Sequence, residues 1–378
     1  MDWLINPDVV IILVGTLVGI ASTLLGTFLV LRKSSMLADA ISHSILLGII
    51  LVYLITKNQF SPFFVVGAAT AGVATVALTE LLANSKRVKN DAAIGLVYPL
   101  LFAIAVLLIN LFARNVHIDT DAVLLGSIEL SWLDTVSVFG IEVARSVLSM
   151  SLVTGVNLLF VIFFYKELKL STFDPGLATA LGFSPVVLYY LLLSLSSITA
   201  VTAFDSVGAV LLVAFMVVPP TTAYLLTDKL WKMLLYGVLI AVASSLLGYL
   251  TAFGLDVSIG GMMVCFSGLF LLLAFLFGPR YGLIAQEIRR ATQRSENAER
   301  MLLVHLYNHE NDQEAQEENA VEALQTHLQW REALVRDIVM RSLDQNLIHK
   351  DTNSRLFLTD KGRVLAQEVL EPWRLVTN

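Results

Sequence analysis

The chain has 378 residues, 56% of them hydrophobic and only 15% charged, with a net charge of −6 and a mean hydropathy of +0.75. A water-soluble protein of this size cannot bury that much apolar surface, so the composition argues against a soluble enzyme and for a polytopic membrane protein. The single cysteine, Cys265, lies in an apolar run, which excludes an internal disulfide and any thiolate metal cluster.

A helix needs about 20 apolar residues to cross the hydrocarbon. In chain order such runs fall near residues 9–31, 37–56, 62–83, 92–112, 143–165, 185–203, 207–227, 231–253 and 259–278. The first has no basic segment before it and no small-residue cleavage site, so it reads as a retained span, not a signal peptide. Nine alternating spans put Arg32, Lys33, Lys86, Arg87, Lys89, Lys166, Lys169, Lys229, Lys232 and Arg280 on one side. Only Lys57, Arg114 and Arg145 fall on or near the other. Because basic loops stay in the cytoplasm, the N-terminus is expected outside and the C-terminus inside. Glycines within the spans, among them Gly26, Gly48, Gly67 and Gly208, predict close helix packing.

Asp39 and His43 stand four residues apart in the second run, "MLADAISHSILLGIILVYLI". On a helix they share one face. A carboxylate with an imidazole suits Mn, Fe, Zn or Co, and Ser35, Ser42 and Ser44 add hydroxyls nearby. The alternative is an Asp–His hydrogen bond that neutralises two buried polar groups. Ionisable groups inside a membrane are costly and usually mark a transport path. Two ligands are too few for a metal, and a two-fold dimer would supply four.

Between spans, residues 114–135 form an external stretch with partly re-entrant character, in which His117, Asp119 and Asp121 can capture metal or be plain solvated charges. Residues 165–185, "YKELKLSTFDPGLATALGFSP", predict a short amphipathic helix on the cytoplasmic face, started by Asp174-Pro175 and ended near Gly182. Asp205, between two runs, reads as a turn and capping residue. The chain has no G-x-x-x-x-G-K-[ST], H-E-x-x-H, G-x-S-x-G or dinucleotide fingerprint, so energy for uphill transport must come from a partner subunit or an ion gradient.

"GTFLVLRKSSMLADAISHSILLGI" (26–49) resembles the signature of the metal-transport permeases of ABC importers, which take up manganese, zinc or iron. "DAAIGLVYPLLFAIAVLLI" (91–109), "STFDPGLATALGF" (171–183) and "VGAVLLVAFMVVPPTTAYLLTDKL" (207–230) resemble further blocks of that family in the same order. Ala38 departs from it, since members often carry Gly before the Asp. The resemblance implies an all-α membrane domain and two permease subunits, identical or paralogous, forming the pore. It also implies a separate ATP-binding subunit on the cytoplasmic face and an extracellular or periplasmic metal-binding protein. By residue match, Asp39 and His43 contact the transported metal, Mn2+ foremost and Zn2+ or Fe2+ otherwise, with no permanently bound cofactor. Asp174, Leu177, Ala178, Leu181 and Gly182 belong to the ATPase-coupling segment. The localisation implied is the bacterial inner membrane.

Beyond residue 284 the composition changes. Residues 285–378 hold 16 Asp and Glu against 12 Lys and Arg and no long apolar run, which predicts a small cytoplasmic domain after a membrane domain of residues 1–284. Helical periodicity at 299–310, 319–328 and 331–350 precedes a strand, a turn, a second strand and a helix from Thr359. "RLFLTDKGRVLA" (355–366) resembles the wing-to-helix segment of winged-helix regulators, including metal-dependent repressors. The acidic balance opposes DNA binding. His305 and His309, again four apart, can form a regulatory metal pair or be two exposed histidines. The alternatives to an importer permease are a proton-driven metal transporter, which would need more intramembrane carboxylates, and a membrane-tethered metal sensor with the tail as its output.

Overall fold

Helix α1, Pro7–Leu31, starts where the Asn6 side chain accepts a hydrogen bond from the Asp8 amide and Pro7 takes the first helical position, where a missing N–H costs nothing. The computed structural model to which it belongs describes residues 6–57, 63–112, 128–138, 141–310, 319–321, 323–352 and 355–374. The chain divides into two compact units, residues 1–282 and 283–378.

In the first unit α1 is followed by α2 (Met36–Thr56), α3 (Phe63–Asn84), α4 (Asn90–Phe112), a hairpin of β1 (Thr135–Val138) and β2 (Ile141–Ala144), and α5 (Arg145–Phe163). Then come α6 (Tyr165–Phe173), α7 (Pro175–Ala180), α8 (Pro185–Leu226), α9 (Leu230–Leu255) and α10 (Ile259–Phe277). Among the described residues nine helical segments are long and apolar enough to cross a membrane, and they match the nine runs of the sequence. Two of them, Pro185–Phe204 and Ser206–Leu226, lie within α8.

The two halves of α8 run in opposite directions. Thr199 accepts a 2.8 Å hydrogen bond from Asn157 Nδ2, which also lies 3.4 Å from the carbonyl of Ala21. The Phe215 carbonyl accepts from Thr23 Oγ1 at 3.2 Å. Sixteen residues of straight helix would separate Thr199 from Phe215 by about 24 Å. Both nevertheless meet the same stretch of α1, so the chain turns back between them. Gly208 provides the turn, with φ 73° and ψ 173°, a conformation open to glycine and strained for any residue with a Cβ. Gly208 thus has a backbone role beyond the close packing expected of the span glycines. Asp205 stands three residues before it, at the reversal.

Gly48 and Gly67 do serve packing. A Cβ at Gly48 would collide with the Gly67 backbone, and one at Gly67 would collide with the Val52 side chain. The crossing of α2 and α3 is therefore backbone on backbone. α1 lies at the centre, with Val10, Val14, Val18, Ala21, Leu25 and Phe28 fully buried. The β1–β2 hairpin, paired Thr135↔Ala144 to Val138↔Ile141, follows the external stretch 114–135, most of which lies outside the described residues. The carboxylate of Glu129 accepts the Ile259 amide at 3.1 Å and so caps α10.

The second unit comprises α11 (Leu283–Asn308), α12 (Ala323–His327), α13 (Glu332–Asp344), β3 (Ile348–Lys350), β4 (Leu356–Leu358) and α14 (Asp360–Arg374). Its own core contains Leu302, Leu303, Leu306, Val335, Ile338, Leu356 and Ala366. β3 and β4 pair antiparallel, Ile348↔Leu358, and Thr359 caps α14 by accepting the Gly362 amide at 3.1 Å. α11 begins well before the expected 299, and α12 is shorter than the periodic stretch 319–328. Arginines tied to carboxylates here include Arg290 to Glu287, Arg336 to Glu332, Arg341 to Glu299 and Arg363 to Glu310.

Candidate functional site

Asp39 lies in the first turn of α2 and His43 one turn later, both inside the stretch able to span. The helical spacing brings His43 Nε2 to 3.4 Å from Asp39 Oδ1. The Asp39 side chain is 43% exposed and that of His43 30%. Ile41, two residues from each, is buried in the bundle close to Gly72 of α3. Two rings of α4 flank the imidazole. Tyr98 stacks on it, with ring centroids 5.7 Å apart and 21° between planes, and Phe102 meets it edge-on at 5.8 Å. Ser42 and Ser44 are buried, and Ser44 donates to the Ile41 carbonyl at 3.0 Å, so its hydroxyl is turned to its own helix. No group of three His, Cys, Asp or Glu side chains able to hold a metal occurs among the described residues. The pair offers one carboxylate oxygen and one imidazole nitrogen.

The second predicted region is built by local capping. The Asp174 carboxylate accepts the Leu177 amide at 2.9 Å and Pro175 opens α7. The helix ends where Gly182 takes φ 87° and the Phe183 amide reaches back to the Ala178 carbonyl at 3.0 Å. Leu177 (47% exposed) and Leu181 (59% exposed) present an apolar face with Phe173 and Phe183. Ala178 is fully buried and supports the helix from within.

Residues 9–278 match the ABC 3 transport family. The chain belongs to the ABC 3 transport family. It is 42% identical to the zinc transport system membrane protein TroD of Treponema pallidum over 363 residues, 96% of this chain and 98% of that protein. It is 43% identical to the manganese transport system membrane protein MntD of Bacillus subtilis over 289 residues, 76% of this chain and 98% of that protein. A solved structure, PsaBC from Streptococcus pneumoniae in complex with Fab, is similar with a TM-score of 0.61 and 28% identity, covering 72% of this chain and 92% of that one. The TroD alignment is too long to be confined to residues 1–282, so the likeness reaches into the second unit.

In this ABC 3 family chain, Tyr98 and Phe102 were not read as site residues from the sequence. Only their aromatic character at helical spacing in α4 pointed to them. His117, Asp119 and Asp121 lie outside the described residues. The rings of His305 and His309 are 4.8 Å apart, and His327 of α12, which sequence spacing gave no reason to include, is 6.1 Å from His305.

Proposed function

We propose that the chain is the membrane-spanning permease of an ATP-binding-cassette importer for a divalent metal ion, with Mn2+ the first candidate and Zn2+ or Fe2+ the others. The observation that carries this reading is the partly exposed Asp39–His43 pair within a spanning helix. A carboxylate and an imidazole facing lipid are costly, so the face that bears them belongs against a water-filled path or another subunit. A second permease related by a two-fold axis would cover it and complete a four-ligand site. The near-equal identities to a zinc and a manganese system protein agree with a donor set that accommodates either ion.

In this reading the basic loops put α6, α7 and the second unit in the cytoplasm. Leu177, Leu181 and the neighbouring phenylalanines receive the ATP-binding subunit, on a capped helix too short to span the membrane. A metal-binding protein delivers the ion from outside, where His117, Asp119 and Asp121 assist capture. The second unit is a winged-helix-like regulatory domain, supported by its order of helices, hairpin and helix. Several of its arginines are paired with carboxylates and its acidic residues outnumber its basic ones, which argues against phosphate contact with DNA. His305 and His309 would be its metal-responsive pair.

The test is uptake of Mn2+, Zn2+ and Fe2+ by cells lacking the protein and by cells complemented with it. Restored uptake of one or more of these ions is expected. Complementation that changes transcription of metal genes but no uptake would instead favour a tethered sensor.

A further inference from the structure

We infer that Arg32 is the positioning residue that ties the α6–α7 segment to the helix bearing Asp39 and His43, so that movement of one is delivered to the other; this rests on the permease reading above. Arg32 closes α1, its amide bonded to the Phe28 carbonyl. Its guanidinium donates to Ser171 Oγ at 2.8 Å and to Thr172 Oγ1 at 3.2 Å. These two residues lie at the end of α6, immediately before Phe173 and the Asp174 cap of α7. The guanidinium also lies 5.4 Å from the centre of the Tyr189 ring, at the start of α8.

On the other side of Arg32 there is little slack. Only Lys33, Ser34 and Ser35 separate it from Met36, the first residue of α2. Lys33 takes a left-handed φ of 58°, the Ser34 amide bonds the Leu29 carbonyl at 2.9 Å, and the Leu37 amide bonds the Ser34 carbonyl at 3.0 Å. Asp39 follows within the first turn of α2. A displacement of α6 thus reaches the metal-facing carboxylate through one side chain and seven residues of backbone. Tyr190 adds a second tie at the same end, donating to Glu80 of α3 at 2.6 Å.

The chemistry of the grip suits a joint more than a weld. Burial pushes the Arg32 guanidinium below its ordinary value, although an arginine stays charged. Buried cations are usually matched by carboxylates. Among the described residues the contacts of Arg32 are hydroxyls and an aromatic face. Such contacts are directional and weaker than a bidentate carboxylate pair, and they can break and re-form within a transport cycle.

The experiment reconstitutes the full chain with its ATP-binding subunit in liposomes and measures metal uptake and ATP hydrolysis together, for wild type, Arg32→Ala, Arg32→Lys and the double variant Ser171→Ala/Thr172→Val. The expected result is normal association of the ATPase with a fall of about tenfold in metal moved per ATP for Arg32→Ala, the size of a typical coupling between sites. The hydroxyl-deleted variant should fall in the same direction, and combining it with Arg32→Ala should add nothing. Arg32→Lys, which keeps charge but loses the planar fork, should recover only part of the ratio. An unchanged ratio in the hydroxyl-deleted variant overturns the inference, even if Arg32→Ala itself fails to fold. So does loss of ATPase association in Arg32→Ala, which would make the residue part of docking. If wild type neither binds an ATPase nor moves metal, it is the permease reading that fails.

Discussion

The ring of Tyr98 lies nearly parallel to that of His43, 21° between planes and 5.7 Å between centres, and holds the imidazole beside the Asp39 carboxylate. Aromatic pairs of this kind contribute about 0.5–1.5 kcal/mol beyond their burial. Tyr98→Ala should leave both ligands in place but let the imidazole rotate. Uptake by that variant should drop by roughly three- to tenfold without being abolished. Uptake at the wild-type rate would show that the stack does not orient His43.

Removing a ligand is a harsher change. Asp39→Ala and His43→Ala are each expected to abolish metal uptake while the protein still reaches the membrane and binds its ATPase. The motive is that no other group of candidate ligands accompanies the pair among the described residues. Transport at the wild-type rate by either variant would leave the pair as a simple hydrogen bond between two polar groups.

Leu181 is exposed at the end of a capped helix. Burying an unpaired carboxylate at such a surface costs several kcal/mol. Leu181→Glu should therefore lose co-purification with the ATP-binding subunit, whereas Ala178→Glu should first unfold the short helix, because Ala178 faces inward. Unchanged association of Leu181→Glu would move the docking surface elsewhere.

Much of this architecture can be read from one dimension. The nine spans are visible because a run of about 20 apolar residues is a property of local sequence. The Asp39–His43 pair is visible because helical periodicity alone puts i and i+4 on one face. Contacts across helices are not legible in this way: Tyr98 is 55 positions from His43, and Ser171 is 139 from Arg32. The β1–β2 hairpin did leave a trace, since "TVSV" and "IEVA" alternate around Phe139-Gly140. Its position in a charged loop hid the signal. The reversal at Gly208 was legible as two apolar runs. Its mechanism was not, because a left-handed glycine looks the same in sequence as a packing glycine.

The second unit has a core of its own, so a chain ending at Gly282 should assemble and transport metal, with altered dependence on cytoplasmic metal. Residues 283–378 alone should fold as a soluble domain and bind duplex DNA weakly, with strong salt sensitivity, because acidic residues outnumber basic ones. Circular dichroism and a duplex-binding titration at physiological salt check this. Loss of transport at normal membrane levels would make the tail part of the mechanism, and tight sequence-specific binding would make it a regulator of genes.

The backbone-on-backbone crossing of Gly48 and Gly67 has a mechanical consequence. At that crossing the two backbones touch, with the Val52 methyl packed beside Gly67, which leaves α2 and α3 little room to shift against each other. If Asp39 and His43 line the path proposed above, its widening would fall to the α4 side, where Tyr98 and Phe102 meet the imidazole through ring faces and edges. In that reading the aromatic side of the pair would act as the hinge line and the glycine side as the handle.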